Sequence, residues 1–298
     1  MQKIFVIGSY GQVGRSLEDK IKRNPQIHGT FMDRDQLDLV DPIATYETVK
    51  RVNPDFLINA AAYTQVDKAE SDVQLARKIN ADACTHLASV CRELDIPLLH
   101  YSTDYVYHNG QDRPLLESDK LNPQSIYGIT KLEGEAAVRK HLQKYFILRT
   151  SWVYDAYGQN FVKTMLKLAG QHPKLTVVYD QIGSPTYAPD LAQASLEIAY
   201  AYFKHRWQAN EAMSPYGIYN FSNEGVCSWY DFALAIFKYA GIDIKISPVT
   251  SDAFPRPAPR PTYSVMNKAR IRSFLEDYEI PHWQEALEQC LDIILKKD

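Results

Sequence analysis

Short apolar or β-branched runs at residues 4–7, 29–32, 56–59, 98–102 and 146–150 are separated by longer stretches of helical character. This alternation marks a parallel sheet covered by helices, because each parallel connection needs a crossover and each strand is buried on both sides. The predicted fold class is therefore α/β, with a Rossmann-type, doubly wound sheet. Asp41-Pro42 sets a capping carboxylate before a first-turn proline, and Leu75, Ile79, Leu87, Val90 and Leu94 mark the apolar face of one long helix between the third and fourth strands. After about Thr150 the pattern loosens into strand-like 176–178 and 218–221, with helices predicted from Ser228-Trp229 to Tyr239 and over 283–295. A chain of 298 residues is long for one core. The expected division is a dinucleotide-binding Rossmann domain at 1–150, to which later segments return, and a smaller, mainly substrate-binding lobe at 151–298.

A formal net charge of -3 with scattered basic residues gives no footprint for a nucleic-acid backbone. No apolar run is long enough to cross a bilayer, and the N-terminal run ends in Gly8 rather than in a small-residue cleavage site. The four cysteines, Cys84, Cys91, Cys227 and Cys290, have neither C-x-x-C spacing nor the density of a disulfide framework. No metal is expected from them, and a cytoplasmic protein with reduced thiols is.

Gly8-Ser9-Tyr10-Gly11-Gln12-Val13-Gly14 follows the first strand and opens a helix, the context in which backbone amides receive a diphosphate. Its G-x-x-G-x-x-G spacing departs from the usual G-x-G-x-x-G, so the context carries the reading. At the end of the second strand, Asp33 suits ribose hydroxyls and Arg34 a 2′-phosphate, which leaves NADH and NADPH both open; Asp38 and Leu39 would border the adenine. The small side chains of Asn59-Ala60-Ala61-Ala62-Tyr63 would let the cofactor approach the third strand.

Tyr127 and Lys131 stand four residues apart on a helix predicted to start after Pro123. An ammonium beside a phenol is expected to lower its pKa and so prepare it to give a proton to a carbonyl oxygen. Tyr46 and Lys50 share that spacing but precede the third strand. Tyr127 instead follows a fourth strand that ends in Ser102-Thr103-Asp104, where the Thr103 hydroxyl would help to orient the same carbonyl.

These residues resemble those of the extended short-chain dehydrogenases, and within them of the dTDP-4-dehydrorhamnose reductases. The likeness runs through the glycine loop, through Asn59 to Glu70, through Tyr101-Ser102-Thr103-Asp104-Tyr105-Val106 and through Tyr127 to Glu135. It continues through Arg149 to Tyr154, Asn160 to Leu166, Asp180 to Thr186 and Arg260-Pro261. The resemblance implies NAD(P)H-dependent reduction of the C4 keto group of dTDP-4-dehydro-L-rhamnose to dTDP-L-rhamnose, a step of cell-surface polysaccharide biosynthesis. It makes Tyr127 the proton donor with Lys131 and Thr103 as partners. It sets Thr103, Asp104 and Trp152 against the sugar nucleotide, with Trp152 read as a platform, and lines the cofactor with Tyr101, Ala62, Tyr63 and Thr64. Arg260, in the proline-rich stretch with Arg256, is read as a diphosphate clamp.

Some members of the family bind magnesium through carboxylates at a dimer interface, one of them directly after the glycine loop. Here Arg15-Ser16 holds that place, while Asp190 remains as one ligand, so monomer and homodimer both stay open. Related alternatives are another nucleotide-sugar reductase or epimerase, or a dehydratase, although Tyr105 stands where a dehydratase's second carboxylate is expected. A further alternative is a non-catalytic subunit resembling the regulatory partner of methionine adenosyltransferase.

Overall fold

The computed structural model describes residues 1–108, 110–207 and 214–296. Its centre is a parallel sheet of β1 (Gln2–Ile7), β2 (Ile27–Met32), β3 (Phe56–Asn59), β4 (Leu98–Thr103), β5 (Tyr145–Thr150) and β6 (Gly217–Asn220), in the order β6-β5-β4-β3-β1-β2. Ile7 lies beside both Met32 and Asn59, and Thr103 beside Thr150, so the strands end together along one edge. The chain leaves β1 to one side for β2 and then crosses to the other side for β3. Crossovers that part in this way open a crevice at the carboxyl ends of the strands.

Alternate residues of the strands feed two cores. Ile4, Val6, Phe56, Ile58, Phe146 and Leu148 pack with helix α6 (Ala188–His205) on one face. Phe5, Ile7, Leu57, Leu98 and Ile147 meet α2 (Pro42–Val52), α3 (Ala83–Glu93) and α4 (Ile126–His141) on the other. The caps act where the sequence puts them: Asp41 accepts the amides of Ile43 and Ala44 at the start of α2, and Ser125 accepts Gly128 N–H at the start of α4.

Two elements depart from the sequence reading. The predicted long helix before β4 is broken into Val73–Arg77, a π-helical turn Lys78–Asp82 and α3. That turn lets the buried Asn80 side chain accept Tyr63 N–H at 2.9 Å and donate to Tyr63 O at 3.2 Å and Thr130 Oγ1 at 3.1 Å. The strand predicted near 218–221 as a lobe piece is β6 of the main sheet, pairing with β5 through Tyr219 beside Leu148 and carrying Tyr219 into the core around Phe146.

The remaining strands are short. Lys174–Val178 pairs with Lys245–Val249, Ile182–Gly183 lies between Cys227–Ser228 and Tyr263–Ser264, and Val153–Tyr154 pairs with Thr186–Tyr187. They surround an aromatic core in which Tyr154, Phe232 and Trp283 are buried between α5 (Phe161–Ala169), α7 (Trp229–Tyr239) and α8 (Trp283–Leu295). Ser228 and Asp231 form a reciprocal capping box at the start of α7. Among the described residues no helix is long and apolar enough to cross a membrane.

Candidate active site

A cleft of about 590 Å³ opens at the carboxyl ends of β1 to β3, lined by Gly8, Tyr10, Gly11, Asp33, Arg34, Asp38 and Leu39 on one side and by Ala61, Ala62, Tyr63 and Thr64 on the other. Gly8 adopts φ +86°, and a Cβ there would lie 2.5 Å from Ala61 N, so only glycine satisfies both the backbone and the neighbour. At Gly14 a Cβ would meet Gly8 O at 2.1 Å, which lets helix α1 (Gln12–Lys22) sit close on the loop. Gly11 is the N-cap of α1 and carries no side chain to cap it, and the first turn has no acidic residue. The amides there suit an anion. Gln12 and Val13 point elsewhere: Gln12 Oε1 accepts from Asn160 Nδ2 at 2.9 Å, and Val13 packs against the core.

Asp33 accepts Tyr10 N–H at 2.8 Å and Arg34 N–H at 2.7 Å, so the carboxylate braces the glycine loop as well as facing the cleft. The Arg34 side chain is exposed at the rim. The cradle fits a dinucleotide: glycines where a side chain would intrude, uncapped amides for the diphosphate, and polar groups at the adenosine end.

A second cleft of about 730 Å³ lies between the sheet edge and the segments around α5 and α7, lined by Asp67, Asp104, Tyr105, Trp152, Trp229 and Arg260 among others. Tyr127 stands between the two. In the first turn of α4 it packs against the small cluster that holds Tyr63 of the first cleft, and it makes an edge contact, centroids 5.4 Å apart, with Tyr105 of the second. By contrast, Tyr46 lies on outer helix α2, bonded to Glu93 at 2.6 Å with Lys50 over its ring. The shared spacing means nothing there.

The electrostatics of Tyr127 correct one expectation. Burial pushes its phenol up to about 12, a hydrogen bond with Thr103 pulls the other way, and the charge of Asp104 raises it further. Lys131 does not lower it here, because Lys131 Nζ is taken up by other partners: it donates to Tyr101 O at 2.6 Å and lies 3.2 Å from His100 Nε2. A phenol that holds its proton well above neutrality is an acid in waiting. Thr103 Oγ1 accepts Tyr105 N–H at 3.2 Å and donates to Asp104 Oδ1 at 3.0 Å. Asp104 also accepts Ser264 Oγ at 2.6 Å, and burial raises its carboxyl to about 6.

Three further residues sit differently from the sequence reading. Tyr101 turns its side chain into the core, its hydroxyl 2.6 Å from Ser195 Oγ, and offers the site only its carbonyl, since neighbouring strand residues face opposite ways. Trp152, at φ +50°, stacks on Trp229 with ring centroids 3.5 Å apart, so one face of the expected platform is already covered. Trp229 donates to Gln181 Oε1 at 3.1 Å; the sequence marked it only as the start of a helix. Arg260 pairs with Asp67 at 2.7 Å. A buried ion pair, Arg149 with Glu135 at 2.6 Å, lies behind the site; Glu135 also accepts Ser102 Oγ at 2.5 Å, and Arg149 donates to Tyr107 and to Glu117 O.

Residues 1–295 match the family described as RmlD substrate binding domain. The chain belongs to this family. Across it, the chain is 37% identical over 291 residues to the spore coat polysaccharide biosynthesis protein SpsK of Bacillus subtilis, covering 98% of this chain and 97% of that one. Among solved structures it is similar to a dTDP-4-dehydrorhamnose reductase from Clostridium acetobutylicum, at 38% identity and TM-score 0.91, covering 99% of this chain and 100% of that one. A dTDP-4-dehydrorhamnose reductase from Bacillus anthracis in complex with NADP is 34% identical with TM-score 0.89, covering 98% and 100%. For magnesium, this RmlD-family chain offers little: Ser16 Oγ donates to Asp155 at 3.0 Å, Asp190 accepts from Asn223 at 2.6 Å, and no three metal-binding side chains converge among the described residues.

Proposed function

We propose that this chain catalyses NAD(P)H-dependent reduction of the C4 keto group of dTDP-4-dehydro-L-rhamnose, giving dTDP-L-rhamnose for cell-surface polysaccharide synthesis. Family membership and the reductases it resembles make it a nicotinamide-dependent oxidoreductase. One observation carries the reading: a proton-holding phenol, Tyr127, between a dinucleotide-shaped cleft and a second cleft large enough for a sugar nucleotide. In this reading the parallel sheet with its helices is the dinucleotide-binding part, and the segments around the second cleft form the substrate lobe.

The first cleft would hold the cofactor on the α1 amides, with Gly8, Gly11, Asp33, Arg34, Ala62, Tyr63 and Thr64 as its walls. Bound there, reduced nicotinamide supplies the hydride. Tyr127 supplies the proton, which its raised pKa keeps on the phenol until an alkoxide forms beside it. Thr103 holds the phenol and, by turning its hydroxyl proton from Asp104 Oδ1 to the substrate, would orient the carbonyl oxygen; Lys131 stands one helical turn away. Asp104, Trp152 and Arg260 face the dTDP-linked 4-keto-6-deoxy sugar.

The test is consumption of reduced nicotinamide with the dTDP-4-keto sugar. Tyr127→Phe keeps the ring against Tyr105 and removes the proton. We expect kcat to fall by roughly 10²–10⁴-fold with dTDP affinity unchanged. Near wild-type turnover by this variant would rule Tyr127 out.

A further inference from the structure

One buried residue of β4 touches the site without a place in the steps above. His100 points to the same face of the strand as Leu98 and Ser102, with Nδ1 against Asn59 and Nε2 against Lys131 and, farther off at 3.8 Å, Cys84 Sγ. Nδ1 lies 3.1 Å from Asn59 Nδ2, and Nε2 lies 3.2 Å from Lys131 Nζ. Asn59 has no choice of orientation: its Oδ1 accepts Ala61 N–H at 3.1 Å, and turning the amide over would set its NH₂ against that N–H. Asn59 Nδ2 therefore donates to His100 Nδ1, which must present a lone pair. A neutral imidazole has one N–H, so it stands on Nε2, the nitrogen that lies 3.2 Å from Lys131 Nζ and 3.8 Å from Cys84 Sγ, with Lys131 the nearer partner. A full ammonium offers only hydrogens in that direction, whereas an amine accepts the Nε2 proton and still donates to Tyr101 O, 2.6 Å away.

We propose that His100 is a positioning residue whose tautomer, fixed by Asn59, holds Lys131 Nζ in place and limits the protons that Lys131 keeps. The inference rests on the reading of Tyr127 and Lys131 as partners. The titratable groups facing Lys131 are His100 from β4, Cys84 from α3, and Tyr127 and Glu135 on its own helix. Glu135 is taken up by Arg149 and Ser102, and Cys84 donates to Asn80 O at 3.2 Å. Burial lowers the Lys131 pKa, and burial followed by the Lys131 charge holds His100 well below the usual imidazole range, in keeping with a neutral ring. Lys131 accordingly gives up its proton at lower pH than an ordinary lysine, and the positive charge it can hold one helical turn from Tyr127 is lost as pH rises through that lowered value.

Asn59→Asp tests this with little change of shape. The new carboxylate accepts Nδ1–H, so the imidazole proton moves to Nδ1 and Nε2 becomes an acceptor for the ammonium. In the ¹⁵N-labelled full chain without added cofactor, we expect the wild-type ring to carry its proton on Nε2 from about pH 5 to 8. In Asn59→Asp it should move to Nδ1, with the alkaline limb of kcat/KM shifted upward by about one pH unit and substrate KM little changed. A wild-type ring protonated on Nδ1, or on both nitrogens, would overturn the proposal. His100→Gln is the second variant, and its alkaline limb should move as well. A lowered denaturation midpoint with the limb at its wild-type place would mark a merely structural role and overturn the proposal too. Because the tautomer is read without turnover, it decides the assignment whether or not the keto sugar proves to be the substrate.

Discussion

Asp104 is the residue at which folding and chemistry oppose each other most plainly. It is 3% exposed, receives hydroxyls from Thr103 and Ser264, and still has its carboxyl raised to about 6, since burial outweighs both hydrogen bonds. A carboxyl whose folded pKa exceeds its unfolded one binds more protons folded than unfolded between the two values. Its contribution to stability is therefore complete at pH below the unfolded pKa and is lost as pH rises to about 6. The slope can amount to at most about 3 kcal/mol, at 1.36 kcal/mol per unit. Asp104→Asn should remove its share of that slope: the denaturation midpoint should fall less steeply across this window than the wild type's, with Asp155 and Asp190, also raised by burial, keeping theirs. Parallel curves for the two proteins would show that Asp104 is not the group responsible. At this scale the sequence distinguished Tyr127 from Tyr46 by placement along the chain, because residues just past the carboxyl end of a central strand meet the crevice. It could not show that Lys131 turns to Tyr101 O and His100, since that depends on which way β4 presents its side chains.

Among elements, the decisive contact is between the π turn and α4. At Gly134 a Cβ would lie 2.1 Å from Asn80 O, so the absence of a side chain on α4 admits the bulging carbonyl. The same turn aims Asn80 at the Tyr63 backbone and at Thr130, tying the wall of the first cleft to the helix that carries Tyr127. Gly134→Ala must push the two helices apart or iron out the turn, and overpacking of this kind costs about 1–3 kcal/mol. We expect a lower midpoint in urea together with a fall in kcat, because Tyr127 moves with α4. A variant as stable and as active as the wild type would mean that the contact relaxes freely. The strands of the main sheet were legible to within a residue or two from their apolar runs, and 283–295 is the helix read from the sequence, whereas short strands such as Lys245–Val249 were not read. The π turn was not legible: its residues keep a helical apolar pattern, and the space that admits the bulge is left by Gly134, far along the chain. β6 was read as a strand but not as a neighbour of β5, since a short strand does not declare its partner.

On the scale of the molecule, two polar ties join residues on opposite walls of the second cleft: Asp104 to Ser264, and Asp67 to Arg260 with Ala258 N–H on the other Asp67 oxygen. The second pair is partly open to solvent, its side chains 23% and 34% exposed, so it is worth no more than about 1 kcal/mol to the fold. Its importance is positional. The proline-rich stretch around Arg260 is held over the cleft by a cation that is also the strongest candidate for a diphosphate contact, and a guanidinium bound to one carboxylate still has donors to offer. The two halves of the pair should then respond differently when broken. Arg260→Ala should raise the Kd for dTDP by about tenfold, equal to 1.4 kcal/mol, while the denaturation midpoint stays almost unchanged. Asp67→Asn removes the competing carboxylate charge but leaves the arginine, so dTDP should bind at least as tightly as to the wild type. Calorimetric titration of both variants separates a clamp from a strap: equal losses of affinity would show that Arg260 serves only to fasten the loop, and the diphosphate must then be held by other groups.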